Sequence, residues 1–368
     1  MAWIGRVFTV LLLMVTFPAM AQNTGARIAL VVGNSGYEHI GRLDNPGNDA
    51  GLIGGVLENA GFEVDYLYDA TQSTFEAAVV ALGRKLRESG PDTVGLFYFA
   101  GHGVQSRGKN FLLPVDAALS NEADLELVGV QADIILRQME SAQNRTNIVI
   151  LDSCRNNPFA AIQGLEANGL AKMDPSPGTF LSYATGPGDV AFDGLGRHSP
   201  FSAALADAMS KPDLAIEQVF KDVRVRVVEE TRGVQTPWDT SLLTSDFVFI
   251  EGADVVAARN AETALWASVE NTGDPLKLTR FLRAHPNGRF AETARQSLAD
   301  ALDDLPDSDA DDPTRALRIV NTTPEVTERA LLEAALVSGH RADYEAYLQA
   351  FPTGIYAELI KLEIAARQ

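Results

Sequence analysis

The sequence predicts an α/β protein in which a central, mostly parallel sheet is flanked by helices and followed by a small all-α repeat module. Three observations carry that prediction. Between residue 27 and about residue 250, short β-branched or aromatic runs alternate with helical patterns, the alternation that layered α/β folds require. Several of the runs are apolar at every position, as strands covered on both faces must be. After residue 252 the runs stop, and the chain turns to helical patterns rich in Ala, Leu and Glu.

Taken in order, Arg27 to Gly33 predicts the first strand, Asp49 to Ala60 a helix, Glu63 to Leu67 a strand and Thr74 to Glu88 a helix. Val94-Gly95-Leu96-Phe97-Tyr98-Phe99-Ala100 predicts a fully buried strand, followed by a helix over Ala132 to Ser141 and another buried strand over Asn147 to Leu151. Thr179 to Ala184 predicts a strand, Pro200 to Met209 and Ala215 to Glu230 helices, and Asp246 to Ile250 a last strand.

Residues 1–21 read separately, as a secretory signal: a basic start at Arg6, an apolar stretch from Val7 to Phe17, and the small-residue cleavage pattern Ala19-Met20-Ala21. The stretch is too short to span a bilayer comfortably, and no later segment is apolar for long enough. The expectation is an exported chain, periplasmic or secreted, with no integral membrane segment once the signal is removed. The α/β domain is expected over 26–252 and the helical region over 253–368.

Within that region Ala264-Leu265-Trp266 matches Ala330-Leu331-Leu332, and Phe281 to Glu292 matches Tyr347 to Glu358 without gaps. Two copies are expected, about 260–300 and 326–368, because such helical units bury their apolar faces by stacking. They offer a surface for a protein partner or a stabilising cap. The acidic stretch between them, Asp303 to Asp312, lacks the Gly and terminal Glu of a calcium loop and reads as a solvated linker.

With 46% apolar residues the chain is globular in composition. Its net charge of −19 becomes −20 without Arg6, which makes nucleic acid and anionic membranes poor partners. Basic peptides suit the sign of that field.

A single cysteine, Cys154, follows the buried run Asn147 to Leu151, so it forms no internal disulfide and its strand-end position favours reactivity. His102 leaves the Val94 to Ala100 run in the same manner. In a parallel sheet, ligands bind beyond such carboxyl ends. A thiol with a nearby imidazole suffices for acyl transfer, with His102 and Cys154 as the catalytic residues. The backbone N–H groups of Gly103 and Cys154 are the candidate oxyanion donors. No Gly-rich phosphate loop, His-Glu-x-x-His or paired Cys-x-x-Cys occurs, so no cofactor is expected to be required.

Tyr98-Phe99-Ala100-Gly101-His102-Gly103 and Leu151-Asp152-Ser153-Cys154 resemble the His-Gly and Asp-x-Cys motifs of the caspase and metacaspase peptidases. Phe180 to Gly188 is similar to the strand and turn that open the small-subunit part of caspases, and Ser182 within it is carried as a substrate-binding candidate. The resemblance covers roughly 26–252 and implies a caspase-like sheet, a Cys-His dyad and cleavage after one chosen side chain. Caspases that cleave after Asp use arginines in the primary pocket, whereas metacaspases use acidic residues that accept Arg or Lys.

Here the matching positions are acidic. Asp152 fits the pocket residue of the Asp-x-Cys motif, Asp49 the acidic residue after the first strand, and Asp193 falls near where a caspase places an arginine. The implied enzyme is an exported, metacaspase-like cysteine endopeptidase acting on protein or peptide substrates after basic residues, with calcium as a family activator that has no ligand set identifiable here.

Each acid has another reading. Asp49 opens a helical pattern, where it would be an N-cap; Asp152 would cap the turn after its strand; Asp193 sits in a Gly-rich turn that favours Asp. The alternative function is a non-catalytic caspase-fold scaffold or protein-binding module acting through the helical repeats. Lys172, the only basic residue between Phe159 and Gly178, is the expected place for self-cleavage if that loop is exposed and flexible.

Overall fold

The computed structural model describes residues 25–153, 157–165, 169–303 and 340–352, together with 332, 335, 336, 354, 356, 357, 360, 361 and 364. The signal-like segment 1–21 and the acidic residues Asp304 to Asp312 lie outside the described residues. The chain divides into two units, Met1–Glu251 and Gly252–Gln368.

In chain order the first unit runs β1 (Arg27–Gly33), α1 (Pro46–Asn59), β2 (Glu63–Tyr68), α2 (Gln72–Ser89), β3 (Val94–Ala100), β4 (Gly103–Ser106), β5 (Lys109–Leu112), α3 (Leu125–Val128), β6 (Val130–Gln131), α4 (Ala132–Glu140), β7 (Thr146–Asp152), β8 (Thr179–Tyr183), α5 (Pro200–Met209), α6 (Ile216–Glu230) and β9 (Trp238–Ser241). The main sheet has the order β2-β1-β3-β7-β8-β9. Its first five strands are parallel, and β9 closes the edge antiparallel to β8.

Burial explains the strand compositions. Every residue of β7 is buried, as is every residue of β3 after Val94, because helices cover both faces. From α2, Phe75, Val79, Leu82 and Leu86 are buried at helical spacing, and Phe75 stacks on Phe97 and Phe99 at ring separations of 6.3 and 5.7 Å. From α1, Ala50, Ile53 and Leu57 fill the same core. Burying the larger of these side chains, such as Ile53, Leu57 and Phe75, contributes about 1.5–3 kcal/mol each.

The structure corrects several boundaries. The run Asp246 to Ile250 is not a strand: it makes isolated bridges from Val248 to Ala215 and from Ile250 to Pro212. Its apolar character serves a clip instead. The Arg27 guanidinium donates to the carbonyls of Val248 at 3.1 Å, Phe249 at 2.6 Å and Ala60 at 2.9 Å, with the rings of Phe62 and Phe247 beside it. Helix α1 begins at Pro46, ahead of Asp49, because proline at the first helical position has the required φ and needs no N–H partner. The second, antiparallel sheet β4-β5-β6 was not expected from the sequence.

The second unit contains α7 (Ala253–Ala267), α8 (Pro275–Ala284), α9 (Ala291–Asp303) and α10 (Arg341–Ala350). The ends of α8 and α10 carry the same bonds at an offset of 66 residues: His285 N–H to Phe281 C=O at 2.9 Å and Phe351 N–H to Tyr347 C=O at 2.8 Å. Gly288 to His285 and Gly354 to Phe351 follow, at 3.2 Å each. Trp266, Phe281 and Phe290 pack in one cluster, and Tyr344, Tyr347 and Ile360 belong to another. No helix among the described residues is long and apolar enough to cross a membrane.

Candidate active site

The register of the two central strands brings their exits side by side. Each β3 residue pairs with the β7 residue 52 positions later, from Val94 with Thr146 to Ala100 with Asp152, and the Gly101 N–H continues the ladder to the Asp152 carbonyl at 3.3 Å. His102 and Cys154 stand at that same separation in the sequence. Cys154 itself, with Arg155 and Asn156, lies outside the described residues; the described chain after β7 ends at Ser153.

His102 is buried and held on every side. Its backbone N–H donates to the Tyr37 hydroxyl at 2.7 Å, its carbonyl accepts from the Leu113 N–H at 2.9 Å, and the Tyr37 ring meets the imidazole edge-on. Nε2 lies 2.9 Å from the Gly41 carbonyl. A carbonyl only accepts, so Nε2 carries a hydrogen, and in the neutral ring Nδ1 is then the basic nitrogen. Neither Tyr37 nor Gly41 was singled out in the sequence.

Gly103 opens β4. The bond from Leu113 N–H to the His102 carbonyl makes Gly103 and Leu112 the close, non-hydrogen-bonded pair of the hairpin, so the Gly103 N–H is directed away from β5. A Cβ at Gly103 would lie 3.0 Å from Ser153 Oγ and 3.1 Å from Leu170 Cδ2. A side chain at this position would press on the residue that precedes Cys154, so β4 approaches it closely here.

Asp49 and Asp152 are both fully buried and meet at Ser199, the N-cap of α5. The Ser199 N–H donates to the Asp49 carboxylate, at 3.1 Å to Oδ1 and 3.3 Å to Oδ2. The Ser199 and Ser202 hydroxyls donate to Asp152 Oδ2 at 2.5 and 2.7 Å. Asp49 lies inside α1 rather than capping it, and the carboxylate of Asp152 reaches across to α5. His198 stands half-buried with Nδ1 3.2 Å from Asp49 Oδ1. Burial and the neighbouring Arg197 guanidinium hold its imidazole below the ordinary histidine value despite that carboxylate.

The remaining predicted residues make other contacts. Asp193 Oδ2 accepts from the backbone N–H groups of Asp44 at 3.0 Å and Asn45 at 3.3 Å, which docks its loop onto the segment leading into α1. Ser182 is buried within β8, in register with Ile150, and its hydroxyl donates to the Trp238 carbonyl at 3.4 Å. Lys172 is exposed, but its neighbours are pinned: Ala171 exchanges two 2.7 Å bonds with the Asn110 side chain, and the Met173 N–H donates to the Tyr183 hydroxyl at 3.0 Å. Among the described residues no group of three or more His, Cys, Asp or Glu could hold a metal ion.

A mostly parallel, helix-covered sheet whose central strands lead into a fixed histidine and a buried carboxylate, with a second buried carboxylate beside it on α1, defines an α/β domain with its site beyond the strand ends. The chain belongs to the caspase-domain family, whose model matches residues 26–248. It is 30% identical over 169 residues to the human (Homo sapiens) mucosa-associated lymphoid tissue lymphoma translocation protein 1, a match that covers 45% of this chain and 19% of that protein. The Mus musculus homolog of that protein matches to the same extent. The chain thus spans about a fifth of the length of these curated relatives.

Proposed function

We propose that the caspase domain is a cysteine endopeptidase that hydrolyses peptide bonds after Arg or Lys, and that it acts outside the cytoplasm after removal of residues 1–21. The observation that carries this reading is the meeting of Asp49 and Asp152, both at 0% exposure, at one serine beside the strand exits. Two buried carboxylates offer a guanidinium or ammonium charge-assisted hydrogen bonds, and a neutral or acidic side chain there would leave them poorly matched.

In this reading His102 Nδ1 takes the thiol proton of Cys154 as Sγ bonds to the substrate carbonyl carbon. The carbonyl electron pair moves onto oxygen, where the N–H groups of Gly103 and Cys154 receive it. The tetrahedral centre collapses, the C–N bond breaks, and the amine leaves with the proton held by His102. Water, deprotonated by His102, then cleaves the thioester and returns the thiol. The bond to the Gly41 carbonyl keeps the ring in the tautomer that these steps need.

The helical region is proposed to recruit or position protein partners, and catalysis by the dyad to require no cofactor, the calcium arm of the test asking whether the ion activates. The test compares the mature protein and Cys154→Ala on peptides ending in Arg, Lys or Asp, with and without calcium. Cleavage after Arg and Lys that the variant abolishes supports the reading. Equal activity in the variant, or preference for Asp, overturns it.

A further inference from the structure

We infer that Ser199 is a positioning residue that ties the two acids of the specificity pocket into one unit, an inference that rests on the pocket reading above. Ser199 is fully buried and makes three kinds of bond at once. Its N–H holds Asp49 from α1, its hydroxyl donates to Asp152 at the end of β7, and its Oγ accepts the Ser202 N–H at 2.9 Å, capping α5. One residue therefore fixes two carboxylates carried by different elements.

The hydrogens can be followed through the network. A carboxylate accepts, so the Ser199 and Ser202 hydroxyls both spend their hydrogens on Asp152 Oδ2. Tyr98, on β3, lies 2.6 Å from Ser202 Oγ, whose hydrogen is already used, so the Tyr98 O–H donates to it. Asp152 is thus clamped from β3 through Tyr98 and from α5 through two serines. A cap alone would need only the bond to the Ser202 N–H; the bonds to both acids exceed that need.

The two acids are carried by different elements, Asp49 by α1 and Asp152 by the end of β7, and Ser199 bonds to both. Removing the Ser199 hydroxyl frees Asp152 from one of its two serine donors while the backbone N–H still holds Asp49. The expected defect is therefore one of charge recognition, in substrate binding rather than in turnover.

The test measures kcat and KM on paired peptides that end in arginine or in citrulline, its uncharged isostere, for the wild type, Ser199→Ala, Ser199→Thr and Ser202→Ala. We expect Ser199→Ala to lose about tenfold of the arginine-over-citrulline preference, mainly through KM for the arginine peptide. Ser199→Thr, which keeps Oγ, is expected to restore it, and Ser202→Ala, which leaves the cap intact, to lose a smaller part. An equal loss on both peptides would reduce Ser199 to a cap and overturn the inference, as would an unchanged preference in Ser202→Ala if Ser199→Ala does not fold. A wild type that does not distinguish the two peptides would instead sink the acidic-pocket reading itself.

Discussion

Tyr37 donates its hydroxyl to the Leu113 carbonyl at 3.3 Å and accepts the His102 N–H at 2.7 Å, with its ring centroid 4.7 Å from the imidazole at 60°. The phenol thus sets both the backbone and the ring plane of the histidine. Gly101 makes room for it, because a Cβ there would stand 2.6 Å from the Tyr37 hydroxyl.

Tyr37→Phe keeps the ring contact and deletes the acceptor, leaving the buried His102 N–H unsatisfied. That costs about 1–3 kcal/mol, and each kcal/mol lowers the melting temperature by about 2–4 °C in a domain of this size. We expect kcat on a basic peptide to fall by about tenfold while KM stays near its wild-type value, since His102 and not the pocket is disturbed. Calorimetry and steady-state kinetics on the same preparation separate the two effects.

Gly103→Ala tests the approach of β4 to Ser153. The added methyl group would meet Ser153 at 3.0 Å and Leu170 at 3.1 Å, and forced overpacking costs about 1–3 kcal/mol. Displacing the Gly103 N–H from a developing oxyanion is expected to lower kcat by about a hundredfold. A variant with wild-type kcat would remove Gly103 from the oxyanion role.

The sheet was legible in the sequence because β3 and β7 are buried on both faces and so are apolar throughout, a pattern that needs no tertiary knowledge. The short strands β9, with the sequence Trp238-Asp239-Thr240-Ser241, and β4, with Gly103-Val104-Gln105-Ser106, carry no such pattern; β9 pairs with β8, distant in sequence, and β4 with β5 across the two-residue turn Arg107-Gly108. Phe247-Val248-Phe249 misled for the opposite reason: apolar burial shaped that run without any ladder. In the site, His102 and the acids announce themselves by residue type. The Gly41 carbonyl has no sequence signature, and Ser199 shows only as a serine before Pro200 at a helix start.

His198 gives a pH dependence with a definite sign. Burial and Arg197 hold its folded-state pKa below the ordinary 6.5, so the unfolded chain binds the proton more readily than the folded one. The neutral ring's contribution is fully present above about pH 6.5 and is lost as the pH falls toward the depressed folded value. Melting temperatures of the wild type and His198→Gln, measured from about pH 8 to about pH 5, should therefore diverge on acidification, with the wild type losing more. Parallel curves would show that the folded state does not disfavour the His198 proton.

Lys172 presents an exposed basic side chain on a backbone fixed at both neighbours, and proteolysis requires an extended, released segment. Asn110, fully buried, holds Ala171 by both of its amide atoms, while Tyr183 holds Met173. Cutting after Lys172 must therefore wait for these three bonds to open together, and when opening and reclosing are fast the rate follows the population of the open form. Trypsin, added to Cys154→Ala so that self-cleavage cannot contribute, is expected to spare Lys172 in the folded chain. Asn110→Ala in the same background removes two of the three bonds, and loss of about 1.4 kcal/mol of local stability raises the open population tenfold. Mass spectrometry of the digest should show the 172–173 cut appearing at least about tenfold faster in the double variant. Equal slow rates would mean that the segment stays closed without regard to Asn110, and equal rapid cutting that Lys172 is already presented to a peptidase in the native chain.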